Sequence, residues 1–260
     1  MMRSLYTAST GMYAQQLNVD TIAHNMSNVN TTGFKKQRVE FQDLLYQTIR
    51  RPAVGAEITE PVGLQVGLGV KPVAINTLFS QGNPQQTSNP LDVAINGEGF
   101  FKVEVPGYDE PLYTRDGSFK LDGEGQIVTA DGYLVQGLDP LDEGAYDITV
   151  DSDGLVTYKL PDGTEGEAGQ IELAKFVNPA GLQKLGQNLY QETANSGEAV
   201  DWDPESDNTT SLEAGYLEMS NIQVVEEMVN LISAQRAYET NSKVIQSSDE
   251  MLQTANNLRR

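Results

Sequence analysis

Residues 224–252 read VVEEMVNLISAQRAYETNSKVIQSSDEML, and their large apolar side chains recur at every seventh position. These positions are Val224, Leu231, Tyr238, Ile245 and Leu252, with Met228 beside them. A strict seven-residue repeat places the side chains in a narrow seam along one side of a helix, and such a seam is buried only against another helix. The repeat therefore predicts a C-terminal helix that packs on a helical partner.

The first thirty residues carry the same seven-residue repeat. It is formed by Leu5, Met12, Val19 and Met26, with Ala8, Ile22 and Val29 on the companion position. All 11 prolines lie from Pro52 to Pro204, so neither end of the chain contains a helix-breaking residue. The two ends are therefore predicted to be helices that pair with each other.

Local signals indicate where the two helices begin and end. The first helix is expected to start near Ser4 and to end before Thr31, with Gly33 in the left-handed conformation that closes many helices. The second is expected to start at Ser220, because Gln223 follows three residues later and completes the pattern of a capping box. Several residues beside the seams are small or polar, so we expect this pair to be weak until further copies join it.

The middle of the chain has the pattern of an all-β insert. Short apolar segments alternate with turn residues, and Asp-Gly pairs supply turns at Asp116, Asp122, Asp131, Asp153 and Asp162. Segments 119–129 and 148–158 have the pattern of a loosely repeated hairpin, and no helix-forming stretch alternates with the strands, which argues against a parallel α/β sheet. The predicted strands are 66–75, 93–95, 100–105, 118–121, 127–129, 133–135, 148–150, 155–160 and 171–176.

These predictions combine into an α+β fold. The N- and C-terminal helices pair as a coiled-coil domain, an all-β domain is inserted between them, and a connector carries an extended arm. The predicted segments are an N-terminal assembly helix at 1–34, a connector and extended arm or hairpin at 35–80, an acidic all-β domain at 81–215 and a C-terminal assembly helix at 216–260. The arm itself is expected from Pro52 to Gly69, where proline and glycine punctuate the chain.

The charge distribution excludes two classes of partner. The net charge is −20, yet residues 1–52 hold more basic than acidic side chains, so the middle of the chain carries most of the acidic excess. Such an insert repels nucleic acid and anionic membranes, and we expect neither as a partner. No apolar run approaches the roughly 20 residues that cross a bilayer, so membrane insertion is not expected either.

No pattern in the sequence indicates catalysis or a cofactor. The chain has no cysteine, which excludes disulfides, thiolate metal sites and cysteine nucleophiles. Its one histidine, His24, lies in the predicted first helix, where it favours a polar flank over a catalytic role. The stretch from Asp151 to Gly154 opens like a calcium loop, but Asp162 stands where the bidentate glutamate should be, so a β-turn is the better interpretation. We expect no catalytic, cofactor-binding or metal-binding residues.

The ends and the insert resemble a known family. Segments 4–8 (SLYTA), 22–35 (IAHNMSNVNTTGFK) and 220–232 (SNIQVVEEMVNLI) are similar to the terminal signatures of bacterial flagellar rod and hook proteins. Segments 89–101 (NPLDVAINGEGFF) and 113–119 (YTRDGSF) resemble the β-domain of that family. The resemblance covers essentially the whole chain. Within the family, segment 43–52 and the arm that follows it are most similar to the distal rod members.

The resemblance implies a mechanical function. Members polymerise helically into a tube with terminal helices inside and β-domains outside, so the chain would be a structural subunit of the distal rod, a rigid drive shaft between motor and hook. Implied partners are further copies of the chain, adjacent rod, hook or hook-junction proteins, the rod-cap protein during assembly, and ring proteins around the rod. No basic and apolar leader typical of a secretory signal is present, which agrees with export to the basal body through the flagellar type III apparatus without cleavage.

Two sets of residues are candidates for contacts between subunits. The expected self-assembly residues are Leu5, Met12, Val19, Ile22, Asn25, Met26, Asn28, Val29, Val224, Met228, Leu231, Tyr238, Ile245 and Leu252. The arm that is expected to stiffen the rod contributes Tyr46, Ile49, Arg50, Arg51 and Leu64.

Two alternatives remain open from the sequence. The first is a proximal rod or hook subunit of the same family. The second belongs to another class, an extracellular β-domain that binds a ligand and stands on a coiled-coil stalk. A stable closed oligomer with ordered helices would distinguish the second alternative from an open polymer.

Overall fold

A computed structural model describes residues 2–51, 53–54, 59–60, 62–142, 144–204 and 209–257. The chain divides into two compact units. The first, called here the helical unit, comprises residues 1–27, 37–76 and 223–260; the second, the β unit, comprises residues 28–36 and 77–222. The β unit is therefore longer at both ends than the predicted domain at 81–215, because it includes the segment after the first helix and the strand before the second.

Both predicted helices are present, with shifted ends. They are α1 (Met2–Ser27) and α2 (Val224–Asn257). The predicted capping box at Ser220 is wrong, because α2 begins four residues later and the Gln223 carbonyl accepts the Glu227 N–H at 3.0 Å. Gly33 is left-handed as predicted, with φ +65°, but it lies six residues beyond Ser27 and does not close α1.

Small and polar side chains form the contact between α1 and α2. Gly11 approaches Asn241 so closely that a Cβ on the glycine would lie 2.9 Å from the Asn241 Nδ2 atom. Along α2, the residues turned inward are spaced by seven: Glu227, Ala234 and Ser248 are buried, and Asn241 is half-buried. The seven-residue period is therefore real, but the most buried line on α2 lies three residues after the predicted line of Val224, Leu231, Tyr238, Ile245 and Leu252.

The connector and arm form one long hairpin of nested strand pairs. The strands are β1 (Gln37–Asp43), β2 (Tyr46–Arg50), β3 (Ala53–Val54), β4 (Thr59–Glu60), β5 (Leu64–Gly67) and β6 (Val70–Thr77), and the pairs are β1 with β6, β2 with β5 and β3 with β4. The predicted strand 66–75 is interrupted at Gly69, whose φ is +126° and whose carbonyl accepts the Leu44 N–H at 2.8 Å. Residues 52, 55–58 and 61 of the predicted arm lie outside the described residues.

The described part of the β unit contains short strands and a 3-10 turn. The strands are β7 (Pro84–Gln86), β8 (Val93–Asn96), β9 (Phe100–Glu104), β10 (Leu112–Thr114), β11 (Lys120–Leu121), β12 (Ile127–Val128), β13 (Leu134–Val135), β14 (Tyr146–Val150), β15 (Leu155–Lys159), β16 (Glu165–Gln170), β17 (Leu173–Lys175), β18 (Gln183–Gly186), β19 (Leu189–Gln191), β20 (Val200–Asp201), β21 (Ser211–Ala214) and β22 (Tyr216–Glu218). The 3-10 turn is Pro179–Gly181.

One nine-stranded sheet organises the β unit. Its order is β11-β12-β13-β9-β10-β19-β18, and β17 pairs with both β9 and β20. A three-stranded sheet has the order β14-β15-β16, and β8 pairs with β21 while β7 pairs with β22. The core contains Phe101 and Phe119, whose rings meet edge to face at 5.0 Å between centroids. A second cluster joins Phe100 and Tyr190 at 5.6 Å.

The predicted turns account for much of this topology. Asp-Gly pairs lie in the connections β11–β12, β12–β13, β14–β15 and β15–β16, all of which join antiparallel neighbours. Both predicted hairpins, 119–129 and 148–158, are therefore present as strand pairs. The sequence did not predict several strands that are rich in charged or polar residues. One of them is β16, with the sequence EGEAGQ, which was missed because it lacks the apolar alternation on which strand prediction rests.

Candidate assembly interface

Large apolar side chains are distributed very unevenly over the surface. Among the described residues, 24 large apolar residues are exposed, and 18 of them belong to the helical unit although it is the smaller unit. By contrast, the structure describes 31 buried apolar residues, of which five belong to the helical unit, and three of those five are alanines. Soluble monomers rarely leave large contiguous apolar patches exposed, so this distribution makes the helical unit the candidate contact surface.

The first two turns of α2 carry the densest exposed apolar patch of the helices. Its members are Val224, Val225, Met228, Val229 and Ile232, and Val225 is 76% exposed. Val225, Val229 and Ile232 follow the i, i+4, i+7 spacing of one helix face, which is the pattern that buries a helix against a neighbour. The seven-residue seam did not single out these three residues, although their spacing is visible in the sequence.

The predicted self-assembly residues near the N-terminus are mostly half-buried. Leu5, Met12, Val19 and Met26 are half-buried, Ile22 and Asn25 are buried, and Asn28 and Val29, which follow α1, are half-buried. The two tyrosines of α1, Tyr6 and Tyr13, are exposed. The predicted seam of α1 is therefore only partly covered and still presents apolar surface.

The predicted self-assembly residues of α2 divide into two groups. Leu231, Ile245 and Leu252 are half-buried, whereas Val224, Met228 and Tyr238 are exposed. The exposed group shares one side of the helix with the half-buried group, because residues three, four and seven apart are neighbours on a helix surface. The helix pair thus leaves an apolar margin that a third helix could cover.

A buried polar network connects α1, α2 and β1. The Asn25 side chain donates from Nδ2 to the Gln37 carbonyl at 2.8 Å and to Glu227 Oε2 at 3.1 Å, and its Oδ1 accepts the Gln37 N–H at 2.9 Å. Both amide hydrogens and the amide oxygen of Asn25 are therefore satisfied, although Asn25 and Glu227 are each 1% exposed. A buried, fully bonded polar pair fixes helix register, because slipping by a residue would leave these groups unpaired.

The predicted arm residues all lie on the exposed hairpin. Tyr46, Ile49, Arg50 and Leu64 are exposed on the β2–β5 pair, and Arg51 is exposed directly after β2. Leu45, which lies between β1 and β2 of the hairpin, is 85% exposed. A two-stranded hairpin is marginally stable by itself in water, and apolar residues on its surface favour a partner that covers them. A hydrogen bond to the Asp43 carboxylate raises the pKa of the Tyr46 hydroxyl.

Two features named in the sequence, a metal-binding cluster and a membrane-spanning helix, can be checked among the described residues. Within them, no group of three or more His, Asp or Glu side chains is placed to hold a metal ion. The suspected calcium loop is a turn between β14 and β15, in which the Gly154 N–H donates to the Asp151 carbonyl at 3.0 Å. None of the described helices combines the length and apolar character needed to cross a membrane.

Three descriptions of flagellar protein domains match separate parts of the chain. "Flagella basal body rod protein" matches residues 5–35, and "Flagellar hook protein FlgE/F/G D1 domain" matches residues 94–158. "Flagellar basal body rod FlgEFG protein C-terminal" matches residues 213–258. The first of these matches contains most of α1, and the third contains all of α2.

Full-length relatives match the same chain from end to end. The flagellar basal-body rod protein FlgG of Borreliella burgdorferi is 51% identical over 267 residues, with 100% of both chains covered. The protein of the same name from Caulobacter vibrioides is 47% identical, with 99% of this chain and 100% of the relative covered. The FlgG of Bacillus subtilis is 41% identical, with 100% of both covered.

Proposed function

Because this chain belongs to the flagellar basal-body rod protein family, as a structural rod subunit and not an enzyme, we propose that its copies polymerise helically into the tubular shaft of the distal rod. The shaft would be rigid and would transmit torque from the motor to the hook. Polymerisation requires a heterologous contact that does not close into a ring, since only such a contact generates an open helical filament.

The observation that supports polymerisation is the concentration of exposed apolar residues on the helical unit. Burying apolar surface contributes about 25 cal/mol per Å², so the patch from Val224 to Ile232 favours association wherever a second surface covers it. We place this contact between the α2 helix of one subunit and the helices of its neighbours. The predicted residues Met228, Leu231 and Tyr238 would lie at the same contact.

The coiled-coil pairing of α1 with α2 is part of the proposal. Inward residues recur at intervals of seven along α2, from Glu227 through Ala234 to Ser248. Small and polar residues in that line give little apolar burial, so the pair contributes little stability by itself. In the free subunit the helices would therefore be largely disordered and would order as neighbours cover their outer faces, which couples helix formation to polymer growth.

The exposed hairpin is proposed to stiffen the rod. Tyr46, Ile49 and Leu64 supply apolar contacts on its surface, and Arg50 and Arg51 supply positive charge to a chain whose net charge is −20. In a polymer, a hairpin that lies across a neighbouring subunit adds a contact far from the helices. Contacts at two separate places resist bending more than a contact at one place.

Further partners and the route of export follow as proposals from family membership. Basal-body localisation applies to rod proteins as a class, and adjacent rod, hook or hook-junction proteins, the rod-cap protein and surrounding ring proteins would contact the polymer. The chain would leave the cytoplasm through the flagellar type III apparatus without cleavage. Mass determination of the subunit from isolated basal bodies checks this point, because a mass below that of the full chain would contradict export without cleavage.

Electron microscopy of the purified chain tests polymerisation, with far-ultraviolet circular dichroism before and after assembly. We expect tubes and a rise in helix signal as they form. Leu231→Asp should abolish the tubes, because it places a charge in the contact, whereas Val177→Asp, an equal change at an exposed position of the β unit, should leave them intact. Helices that are fully formed in a monomer that never polymerises would contradict the proposal.

The arm is tested separately through the shape of the polymer. Tyr46→Ser together with Ile49→Ser should give tubes that still form but bend more, read as a shorter persistence length in micrographs. Leu121→Ser with Tyr146→Ser, a matched pair of exposed residues in the β unit, should not change the curvature. Equal curvature in the arm variant and the unmodified chain would contradict the stiffening role, and it would leave the proximal rod or hook alternative open.

A further inference from the structure

The β unit contains a buried cluster of three charges, Lys35, Arg115 and Glu218. We call it the junction cluster. Lys35 Nζ lies 2.6 Å from Glu218 Oε1, and Arg115 Nε lies 2.6 Å from Glu218 Oε2. The side chains of Lys35 and Glu218 are each 2% exposed, and that of Arg115 is 5% exposed. The three residues are far apart in sequence, so the cluster joins distant segments.

Hydrogen bonds from the backbone complete the cluster. Glu218 Oε1 also accepts the Gly82 N–H at 2.7 Å, and Lys35 Nζ donates to the Ser80 carbonyl at 3.0 Å. The Arg115 guanidinium donates to the Gly97 carbonyl at 2.6 Å, to the Ile95 carbonyl at 3.2 Å and to the Gly99 carbonyl. Both carboxylate oxygens and all three guanidinium nitrogens are thereby bonded, as buried charges require.

The cluster favours the charged form of the Glu218 carboxylate but disfavours the charged form of the Lys35 ammonium group. Burial alone would raise the pKa of the Glu218 carboxyl, but attraction by Arg115 and Lys35, together with their hydrogen bonds, holds this pKa below its usual range. Burial lowers the pKa of Lys35, and although Glu218 attracts this ammonium group, Arg115 repels it. The asymmetry arises because the carboxylate faces two opposite charges, whereas each cation faces one opposite and one like charge.

Further hydrogen bonds tie together the three segments that meet at the cluster. The Gly33 N–H donates to the Glu218 carbonyl at 2.8 Å, and the Lys36 N–H donates to Asn221 Oδ1 at 2.7 Å. Asn221 Nδ2 donates to the Leu78 carbonyl at 2.9 Å. At Gly33 a side chain would not fit, since a Cβ would lie 2.7 Å from the Arg115 carbonyl carbon.

The bonded segments are those by which the chain enters and leaves the β unit. The chain enters the β unit at Asn28, passes back to the helical unit after Lys36, returns at Thr77 and leaves again after Ile222. Segments 33–36, 78–83 and 218–221 adjoin the last three of these four crossings, and segment 33–36 also follows the first within a few residues. Any force that is carried along the chain into the β unit through these crossings therefore reaches the junction cluster before it reaches the rest of the sheet.

Stability of the fold does not by itself explain three buried charges. Well-packed apolar side chains of similar volume often serve a protein interior as well as a buried ion pair or better. Directional, saturated bonds do offer what apolar contacts cannot, which is a fixed geometry with little freedom to slide. Because the cluster adjoins the chain crossings, a fixed geometry at this place would keep the connecting segments from separating under load.

We propose that the junction cluster is a mechanical joint, which keeps the three connecting segments fastened together when tension along the chain reaches the β unit. The inference deepens the proposed function, because a shaft that transmits torque loads these segments. Its central residues are Lys35, Arg115 and Glu218, and Asn221 and Gly33 support them. The residues position the segments and contact no ligand.

Single-molecule pulling on the full chain tests the joint in two geometries. The chain has no cysteine of its own, so handles can be attached at introduced ones. In the first geometry, Ser27→Cys and Gln223→Cys apply force through the connecting segments. In the second, Asp122→Cys and Thr164→Cys, at exposed turns inside the β unit, apply force that does not pass through the cluster.

Lys35→Met is compared with Lys159→Met, the same substitution at an exposed ion pair with Asp147 in the same unit. In the first geometry, we expect Lys35→Met to speed unfolding at fixed force about tenfold, since the broken interaction resists the separation directly. In the second geometry, neither variant should change the rate appreciably. Lys159→Met should match the unmodified chain in both geometries.

Two results would contradict the proposed joint. The first is that Lys35→Met speeds unfolding equally in both geometries, which would show that the cluster stabilises the whole unit. The second is that Lys35→Met does not speed unfolding in the first geometry. If Lys35→Met does not fold, Asn221→Ala, which removes only the supporting bonds, is pulled with the same expectations. Pulling uses single chains, so failure of the joint and failure to polymerise, seen by electron microscopy, are separate outcomes.

Discussion

The helical unit and the β unit use apolar residues in opposite ways. In the β unit, large residues such as Phe101, Phe119 and Leu173 point inward and are fully or almost fully buried. In the helical unit, alanine, glycine and polar residues occupy the contact between α1 and α2, and residues such as Val225 and Tyr13 remain outside. The β unit buries most of its large apolar residues within itself, whereas most large apolar residues of the helical unit are available to a neighbouring molecule.

The two units also differ in the polar groups that they bury. The β unit encloses the junction cluster, in which charges from distant segments are mutually satisfied. The helical unit buries Asn25 and Glu227 between helices, where they set register and contribute little apolar burial. One chain thus combines a unit that buries most of its large apolar residues with a unit that leaves most of them exposed.

The largest effect is expected from a cavity in the β unit. Phe101 is fully buried against Phe119, and Phe101→Ala should lower the free energy of unfolding of this unit by about 3–5 kcal/mol. Trp202, the single tryptophan, is buried in the same core cluster, so its fluorescence in urea reports the loss.

Tyr13→Ala is the matched change in the helical unit, where the ring is 63% exposed. Its effect on the Trp202 transition should stay within about 0.5 kcal/mol, the range of surface substitutions. A loss of less than about 1 kcal/mol for Phe101→Ala would contradict the closed core.

Alkaline pH should destabilise the β unit selectively. Burial raises the pKa of Tyr190 to about 12, with Glu218 raising it and Arg115 lowering it, whereas an unfolded tyrosine titrates near 10. Below pH 10 both states hold the proton, and the stabilisation is complete. As the pH rises from about 10 to 12 the unfolded state loses the proton and the folded state keeps it, so about 2–3 kcal/mol of stability is lost.

Urea titrations of Trp202 fluorescence at pH 9 and pH 11.5 measure this loss. Tyr190→Phe removes the titrating group at nearly constant shape, and its loss between the two pH values should be smaller by about 2 kcal/mol. Other groups that titrate in this range affect both proteins alike, so the difference isolates Tyr190. Equal losses in both proteins would show that this phenol ionises normally in the fold.

A middle-sized effect is expected at the helix contact. Asn25→Ala leaves the Glu227 carboxylate and the backbone of Gln37 without their buried partner, which should cost about 1–3 kcal/mol per subunit. Dissociation of assembled filaments, followed by circular dichroism at 222 nm, should shift to lower temperature. Gln16→Ala, an exposed change on α1, is the control and should not shift it. An unchanged Trp202 transition in Asn25→Ala would confirm that the two units respond separately.

Local sequence patterns predicted the helices, the turns and the arm because each depends on neighbouring residues. The seven-residue repeat specified both helices, Asp-Gly pairs specified four turns between paired strands, and Pro and Gly between Pro52 and Gly69 indicated the hairpin. The family resemblance then predicted a rod subunit, which the full-length relatives confirm. The self-assembly residues and the arm residues remain predictions, since the structure contains one copy of the chain.

Long-range features were missed for a physical reason. Lys35 and Glu218 are 183 residues apart, and Arg115 and Glu218 are 103 residues apart, so no local period marks their pairing. The seven-residue line predicted on α2 follows the large apolar residues from Val224 to Leu252, whereas the most buried line lies three residues later and begins at Glu227. Burial of a carboxylate depends on a partner, here Asn25, that only the folded chain supplies.

The smallest effect provides the sharpest comparison of the two units. Val177 in the β unit is 89% exposed, and Val225 in α2 is 76% exposed. Val177→Ser and Val225→Ser should each change the stability of the isolated chain by no more than about 0.5 kcal/mol, because neither removes a buried contact. Only Val225→Ser should affect polymerisation, since only that valine is expected to be covered by a neighbour. Burial of a valine contributes about 1.5 kcal/mol, so the critical concentration for assembly, measured by sedimentation, should rise about tenfold for Val225→Ser. Equal critical concentrations for the two variants would mean that exposed apolar residues have the same role in both units.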